Sequence, residues 1–371
     1  MQTRLLERFL RYVAVTSQSD ASQAVVPSTE GQRSLAELLK KDLAELGLVN
    51  LEISEYSVLT GKLPANLPAG SGEQVPAVGF VAHLDTVDVN LSADIKPQVV
   101  RSYSGGDICL NEKKGIYLRE AEHPELLKYK GQDIVCTDGT SVLGADNKAA
   151  IANVVVALET LVQNKDLQHG DIYVAFVPDE ECGLRGAKKM DFSKFPVAFA
   201  YTIDCCELGE VVYETFNAGS AVVKIKGVSA HPMSAKGVMV NPTLVAVDLI
   251  NSFDRMQTPE HTEGTEGYIW AKSIISNQSE AVVQLDIRDH NKNTYEARKH
   301  LIKTNVESLQ KLYPRAEIVC TITDTYGNIA DAVNDENRKC IDYIYTAMSE
   351  LGIKPRSEER RVGKECRSRW S

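Results

Sequence analysis

The sequence predicts an α/β fold, a mainly parallel sheet carrying an inserted, smaller α+β domain, and three observations lead there. Strand-like and helix-like segments alternate through the first half of the chain. Near residue 216 the pattern changes to half-exposed strands interleaved with two helices. The length, 371 residues, exceeds what one simple core accommodates, so two domains are expected. A net charge of −10 with no basic stripe in the body of the chain argues against nucleic acid as a partner.

Residues 1–13 read as an amphipathic helix with Arg4, Glu7, Arg8 and Arg11 interspersed. That interruption rules out the apolar core of a secretory signal, and no run approaches the 18 apolar residues of a membrane span. A second helix is expected over residues 28–47. There Thr29 and Gln32 have capping-box spacing, Leu35, Leu38, Leu39, Leu43 and Leu46 form one apolar face, and Gly47 stops the helix. Residues 77–84 predict a buried strand, 145–161 a helix after a Gly-containing loop, and 172–177 and 198–203 two further strands. In the second region, 220–226, 278–288 and 316–324 alternate as strands, while 242–253 and 294–312 read as helices. Residues 335–351 predict a helix returning to the first domain. The eight cysteines are scattered without a CxxC pair, and Cys205 and Cys206 are adjacent, a pattern of reduced thiols that points to the cytoplasm.

Polar residues with metal-binding chemistry fall where the predicted strands end. His83 and Asp85 close VGFVAHLD, Asp146 follows TDGTSVLGAD, Glu180 and Glu181 close IYVAFVPDEE, and Asp204 closes FAYTID. In an open parallel sheet, ligands bind beyond the carboxyl ends of the strands. Imidazole with carboxylates suits zinc. His83 and Asp85, two apart on a strand, share a face, so Asp85 can accept the free ring N–H of His83 and fix its orientation. Of the adjacent Glu180 and Glu181, one can coordinate while the other stays free as a base. Each residue also has a plain structural use: Asp146 as a helix cap, Asp204 in a turn, the Glu pair in a solvated loop.

These same segments, VGFVAHLDTVD, TDGTSVLGADNKA, FVPDEECG and AYTID, resemble the successive motifs of M20-type metallopeptidases. VPSTEGQ at 26–32, HGDIYVAFVPDEE, KGVMVNP at 236–242 and TEGTEG at 262–267 are similar to segments of the peptidase T family within them. The resemblance implies a two-zinc tripeptide aminopeptidase, with a nearby alternative in an M20-type deacylase or dipeptidase. It implies a catalytic domain over 1–215 and 329–355 and a lid over 216–328. It implies His83 and Asp204 on one zinc, Asp146 bridging, Glu181 on the second, Glu180 as general base and Asp85 as the orienting carboxylate. In the lid, His231 of SAHPMSAKG matches a histidine on the oxyanion side. Arg288 of LDIRDH matches an arginine suited to a substrate carboxylate, which its planar fork fits bidentately. Asn147 stands where many relatives have a second Asp, with little change expected. The lid of some relatives hints at a homodimer.

After Pro355 the chain reads RSEERRVGKECRSRWS, with six Lys/Arg and three Glu against the acidic trend. RSEER can be encoded beginning AGATCGGAAGAGC, and the run resembles a translated sequencing adapter, so residues 356–371 are expected to be a non-native tail. The family's last zinc ligand, a histidine near the C-terminus, and its Gly-rich segment are not found. The expectation is a weakened second zinc position and a catalytically impaired chain.

Overall fold

The structure is a computed structural model and describes residues 2–68, 75–205 and 207–357. Two compact units divide the chain between Asp204 and Cys205.

In the first unit, helix α1 (Gln2–Val13) buries Phe9, Tyr12 and Val13. Arg8, Arg11 and Tyr12 converge on the buried Asp42 carboxylate of α2 (Glu30–Glu45), at 3.1, 2.8 and 2.7 Å. This surrounds a charge that burial alone would make costly. Leu35, Leu39 and Leu43 form the buried face of α2, and Gly47, with φ +85°, sits beyond its end in the left-handed region that favours glycine. The expected capping box does not form. Thr29 Oγ1 donates to the Gln18 carbonyl at 2.8 Å, and Gln32 turns to the buried Asp179, its Oε1 accepting from the Asp179 N–H at 2.8 Å and its Nε2 donating to the carboxylate at 2.7 Å.

Strands β1 (Val49–Ile53) and β2 (Leu59–Leu63) form a hairpin, followed by β3 (Val78–His83). Next come β4 (Pro97–Val100), β5 (Ile108–Asn111), β6 (Ile116–Leu118) and β7 (Ile134–Thr137). β4 pairs with β7 and β5 with β6, over a small core of Tyr103, Ile108, Leu126 and Cys136. Helix α3 (Ala145–Gln163) precedes β8 (Ile172–Val177) and β9 (Phe199–Thr202). The main sheet has the order β1-β2-β8-β3-β9. β8, β3 and β9 are mutually parallel, whereas the hairpin adds β2 antiparallel to β8, so the sheet is mixed. The parallel part matters for chemistry, because three neighbouring strands end on one edge.

In the second unit, β10 (Glu210–Val211) precedes β11 (Asn217–Lys226), α4 (Pro242–Asn251), β12 (Tyr268–Ser276), β13 (Glu280–Asp289), α5 (Lys292–Leu312), β14 (Glu317–Tyr326), α6 (Lys339–Glu350) and β15 (Arg356–Ser357). The four-stranded sheet runs β12-β13-β11-β14, antiparallel throughout. Val245 and Leu249 of α4 and Ile302 and Leu309 of α5 share a core with Val223, Val283 and Leu285 of the sheet. Asn241 and Asn291 cap the two helices, each accepting from an amide of the first turn. Strand β12 was not expected. It is an edge strand with Ile274 and Ile275 exposed, so it lacks the clean alternation that marks a half-buried strand. Of the expected tail, Arg356 and Ser357 pair in parallel with Glu210 and Val211, and residues 358–371 lie outside the described residues.

Candidate metal centre

Three strand ends and one helix start deliver the candidate residues to the same edge of the first unit. His83 is the last residue of β3, Asp85 lies two beyond it, Glu180 and Glu181 follow β8, and Asp204 follows β9. Asp146 enters from the first turn of α3, just after Gly144, whose φ of +72° turns the loop into the helix.

The buried imidazole of His83 is the hub. Its Nε2 lies 2.9 Å from Asp146 Oδ1, 3.9 Å from Asp204 Oδ1 and 4.0 Å from Glu180 Oε2. Two sets of ligand atoms cluster within 4.8 Å: His83, Asp146 and Asp204, and His83, Glu180 and Glu181. Asp85 Oδ1 is 3.3 Å from His83 Nδ1 but not aligned for a hydrogen bond, so the pair is a charge contact. The Asp85 oxygens accept instead from the backbone N–H groups of Glu180 and Glu181, at 3.0 and 3.1 Å. Asp85 therefore orients the glutamate pair as well as facing the histidine.

The electrostatics describe a site short of positive charge. Burial raises Glu180 to about 7, with Asp204, Asp85 and Asp146 adding to it and His83 opposing. Burial and the Asp146 carboxylate raise Glu181 to about 8. Burial also raises Asp204, and Asp146 adds to that rise. Burial works against a charged His83, but Asp146, Asp85 and Asp204 outweigh it and hold its pKa well above the ordinary value. Burial opposes the Asp85 charge too, yet His83 and the Glu180 amide hold its pKa below the usual carboxylate range. Several carboxylates around one buried imidazole, repelling each other, make a donor set that fits a divalent cation.

Sequence reasoning missed several supports. Asn147 Nδ2 donates to Asp204 Oδ1 at 2.7 Å and to the Ile203 carbonyl at 2.8 Å, tying the start of α3 to the end of β9. Lys148 is fully buried, donates to the Val15 carbonyl at 2.7 Å, and is lowered to about 7 by burial. A lysine heading the apolar run AAIANVVVAL was the available signal. The buried Asp179 accepts from Ser28 and Gln32, which no local pattern announces.

His231 and Arg288 belong to the second unit. His231 is exposed, and its Nδ1 accepts from the Met233 amide at 3.3 Å. Arg288 is largely buried, and its Nη1 donates to the carbonyls of Gly219 and Ile287, at 3.1 and 2.9 Å.

Residues 213–317 match the family model described as the peptidase dimerisation domain. A Peptidase T-like protein of Yersinia pestis is 51% identical over 363 residues, covering 98% of this chain and 86% of the relative. Peptidase T of Geobacillus sp. (strain WCH70) is 40% identical over 363 residues, covering 98% and 87%. Among solved structures, aminopeptidase PepT from Bacillus cereus ATCC 10987 has the same fold, with a TM-score of 0.73 at 20% identity over 97% of this chain and 84% of that one.

Proposed function

The chain belongs to the peptidase T family of M20 metallopeptidases, and from that premise we propose that the strand-end cluster around His83 is its catalytic centre. The enzyme is a metal-dependent tripeptide aminopeptidase, releasing the N-terminal residue of a tripeptide by hydrolysis. The observation that carries the site assignment is the convergence of His83 with Asp146, Glu180, Glu181 and Asp204 at the carboxyl edge of the parallel strands.

Zinc is the metal we assign, because imidazole and carboxylate oxygen are its ordinary donors. His83, Asp146 and Asp204 would hold one metal, and Glu181, with Asp146 shared, would serve a second. A divalent metal held there supplies Lewis acidity, polarising a peptide carbonyl and lowering the pKa of a water.

The chain's own residues do the rest. Glu180, raised to about 7, is poised to take a proton from the attacking water and return it to the leaving amine near neutral pH. Asp85 holds the Glu180 and Glu181 amides and faces the His83 ring. In the lid, His231 and Arg288 are assigned to the oxyanion side and to the substrate carboxylate. We assign catalysis to residues 1–215 with 329–355 and the lid to 216–328. Homodimer contacts fall to the lid, supported by the dimerisation-domain match. The setting is the cytoplasm, supported by described cysteines that are free of disulfides. Separately, no described helix is long and apolar enough to cross a membrane.

A panel of tripeptides, dipeptides and N-acyl amino acids, assayed with metal-stripped and zinc-reconstituted protein, tests this reading. Zinc-dependent release of the N-terminal residue from tripeptides is expected. Preference for dipeptides or acylated amino acids would move the activity to the deacylase or dipeptidase branch.

A further inference from the structure

Three successive backbone N–H groups lead into the catalytic edge, and each is held by a side chain. Those of Glu180 and Glu181 go to Asp85, as described. The Asp179 N–H donates to Gln32 Oε1 at 2.8 Å. Gln32 then returns the contact, its Nε2 donating to Asp179 Oδ1 at 2.7 Å. Ser28 completes the clasp through its amide to Asp179 Oδ2 at 2.7 Å and its hydroxyl to Oδ1 at 2.5 Å. Gln32 and Asp179 are fully buried and Ser28 nearly so. Asp179 has φ +52°, a left-handed conformation that a non-glycine residue holds only when its surroundings over-determine it.

The neighbourhood is built for close approach. A Cβ on Gly31 would meet the Thr16 carbonyl oxygen at 1.7 Å, so only glycine lets the start of α2 come in against residues 16 and 17. Ser17 in turn donates to the Leu84 carbonyl at 2.7 Å, beside the end of β3. On the far side, the Arg185 amide closes back onto the Asp179 carbonyl at 3.0 Å, and the Arg185 side chain reaches the carbonyls of Gln23 and Ala21.

Resting on the catalytic reading above, we propose that Gln32, with Ser28 and Asp179, is a positioning device for the Glu180–Glu181 pair. The clasp fixes the left-handed turn at Asp179, and that turn sets which way the next two carboxylates leave the strand. Gln32 touches neither substrate nor metal and acts through the backbone. A buried carboxylate is a costly way to hold a loop for stability alone, since apolar packing would do so at lower cost. Its polar bonds instead fix direction, as groups behind metal ligands commonly do.

The test uses the full chain with Gln32→Leu, Ser28→Ala, Asp179→Asn and the double variant Gln32→Glu/Asp179→Asn. In the double variant the new glutamate accepts from both the amide and the side chain of residue 179, so the reciprocal pair returns with reversed polarity. In metal-free protein, Gln32→Leu should speed amide hydrogen exchange across residues 179–181 on the order of tenfold or more. Cobalt(II), titrated in place of zinc, should bind about 10–100-fold more weakly and with an altered visible spectrum. On tripeptide, kcat should fall about 10–100-fold with KM nearly unchanged. Ser28→Ala should move each quantity the same way by less, and the double variant should recover most of what Asp179→Asn loses. A folded Gln32→Leu or Ser28→Ala with unchanged exchange and cobalt affinity overturns the proposal, and so does a double variant no better than Asp179→Asn. If the unsubstituted chain releases no amino acid from tripeptides, the activity reading falls alone, because exchange and cobalt binding still decide the clasp.

Discussion

Where helix α5 packs on the antiparallel sheet of the second unit, Arg298 Nε sits 2.8 Å from Asp289 Oδ2, Tyr295 OH donates to Asp324 Oδ1 at 2.6 Å, and Lys299 joins the same carboxylate at 2.9 Å. At the carboxyl edge of the parallel strands in the first unit, Asp146, Glu180, Glu181 and Asp204 face one another with His83 as the shared partner. The first arrangement is finished within the protein. The second gathers four carboxylates on one imidazole, and burial with mutual repulsion raises Glu180 to about 7 and Glu181 to about 8. The contrast separates charge used for folding from charge kept for chemistry, and it can be broken from either side.

The largest effect is expected from Glu180→Gln, which keeps the shape and removes the base. Activity on tripeptide should drop about 10²–10⁴-fold while the metal stays bound, read by steady-state kinetics with metal analysis. Retained activity would move the base elsewhere. His83→Ala should weaken metal binding by more than about 100-fold, since even indirect supports are worth about 10–100-fold. Chelator competition measures this, and unchanged affinity would remove His83 from the site. On the other side of the comparison, Arg298→Ala strands the nearly buried Asp289 and should cost about 1–3 kcal/mol of stability in denaturant unfolding. Metal affinity in the first unit should not change, and a fall in it would erase the distinction.

The smallest effect concerns pH. Glu180 and Glu181 rise from 4.5 to about 7 and about 8 in the folded chain, so the folded metal-free protein binds more protons than the unfolded one between about pH 4.5 and those values. Stability is then fully present below about pH 4.5 and is lost as pH rises through 7 and 8. The raised His83 acts in the same direction. Metal-stripped protein should show a melting temperature a few degrees lower at about pH 8.5 than at about pH 6, and added zinc should reverse that trend. A metal-free melting temperature that rises over this range would contradict the raised glutamates at this edge.

The convergence of the candidate metal-site residues was legible because they are tied to strand ends. His83, Glu180 and Asp204 each follow a short apolar run, and a parallel sheet gathers such ends on one edge. The strands β8 and β3 and the helices α2 and α3 were legible by period and length. What stayed hidden depended on partners far along the chain. Gln32 has the spacing of a local cap, and only the fold brings it to Asp179, 147 residues away. In the hairpin that makes the sheet mixed, β1 buries too little and β2 is buried on both faces, and the edge strand β12 is mostly exposed, so none of the three shows a clean alternation. Lys148 looked like an ordinary helix residue until its burial against the Val15 carbonyl was seen.

The measurement that bears most directly on the account is release of the N-terminal amino acid from a tripeptide by metal-stripped protein, followed as zinc is added. The account predicts no release without metal and a rate that rises with zinc, lost again in the Glu180→Gln variant. Release that persists in the stripped protein, or that never appears at any zinc concentration, would contradict it.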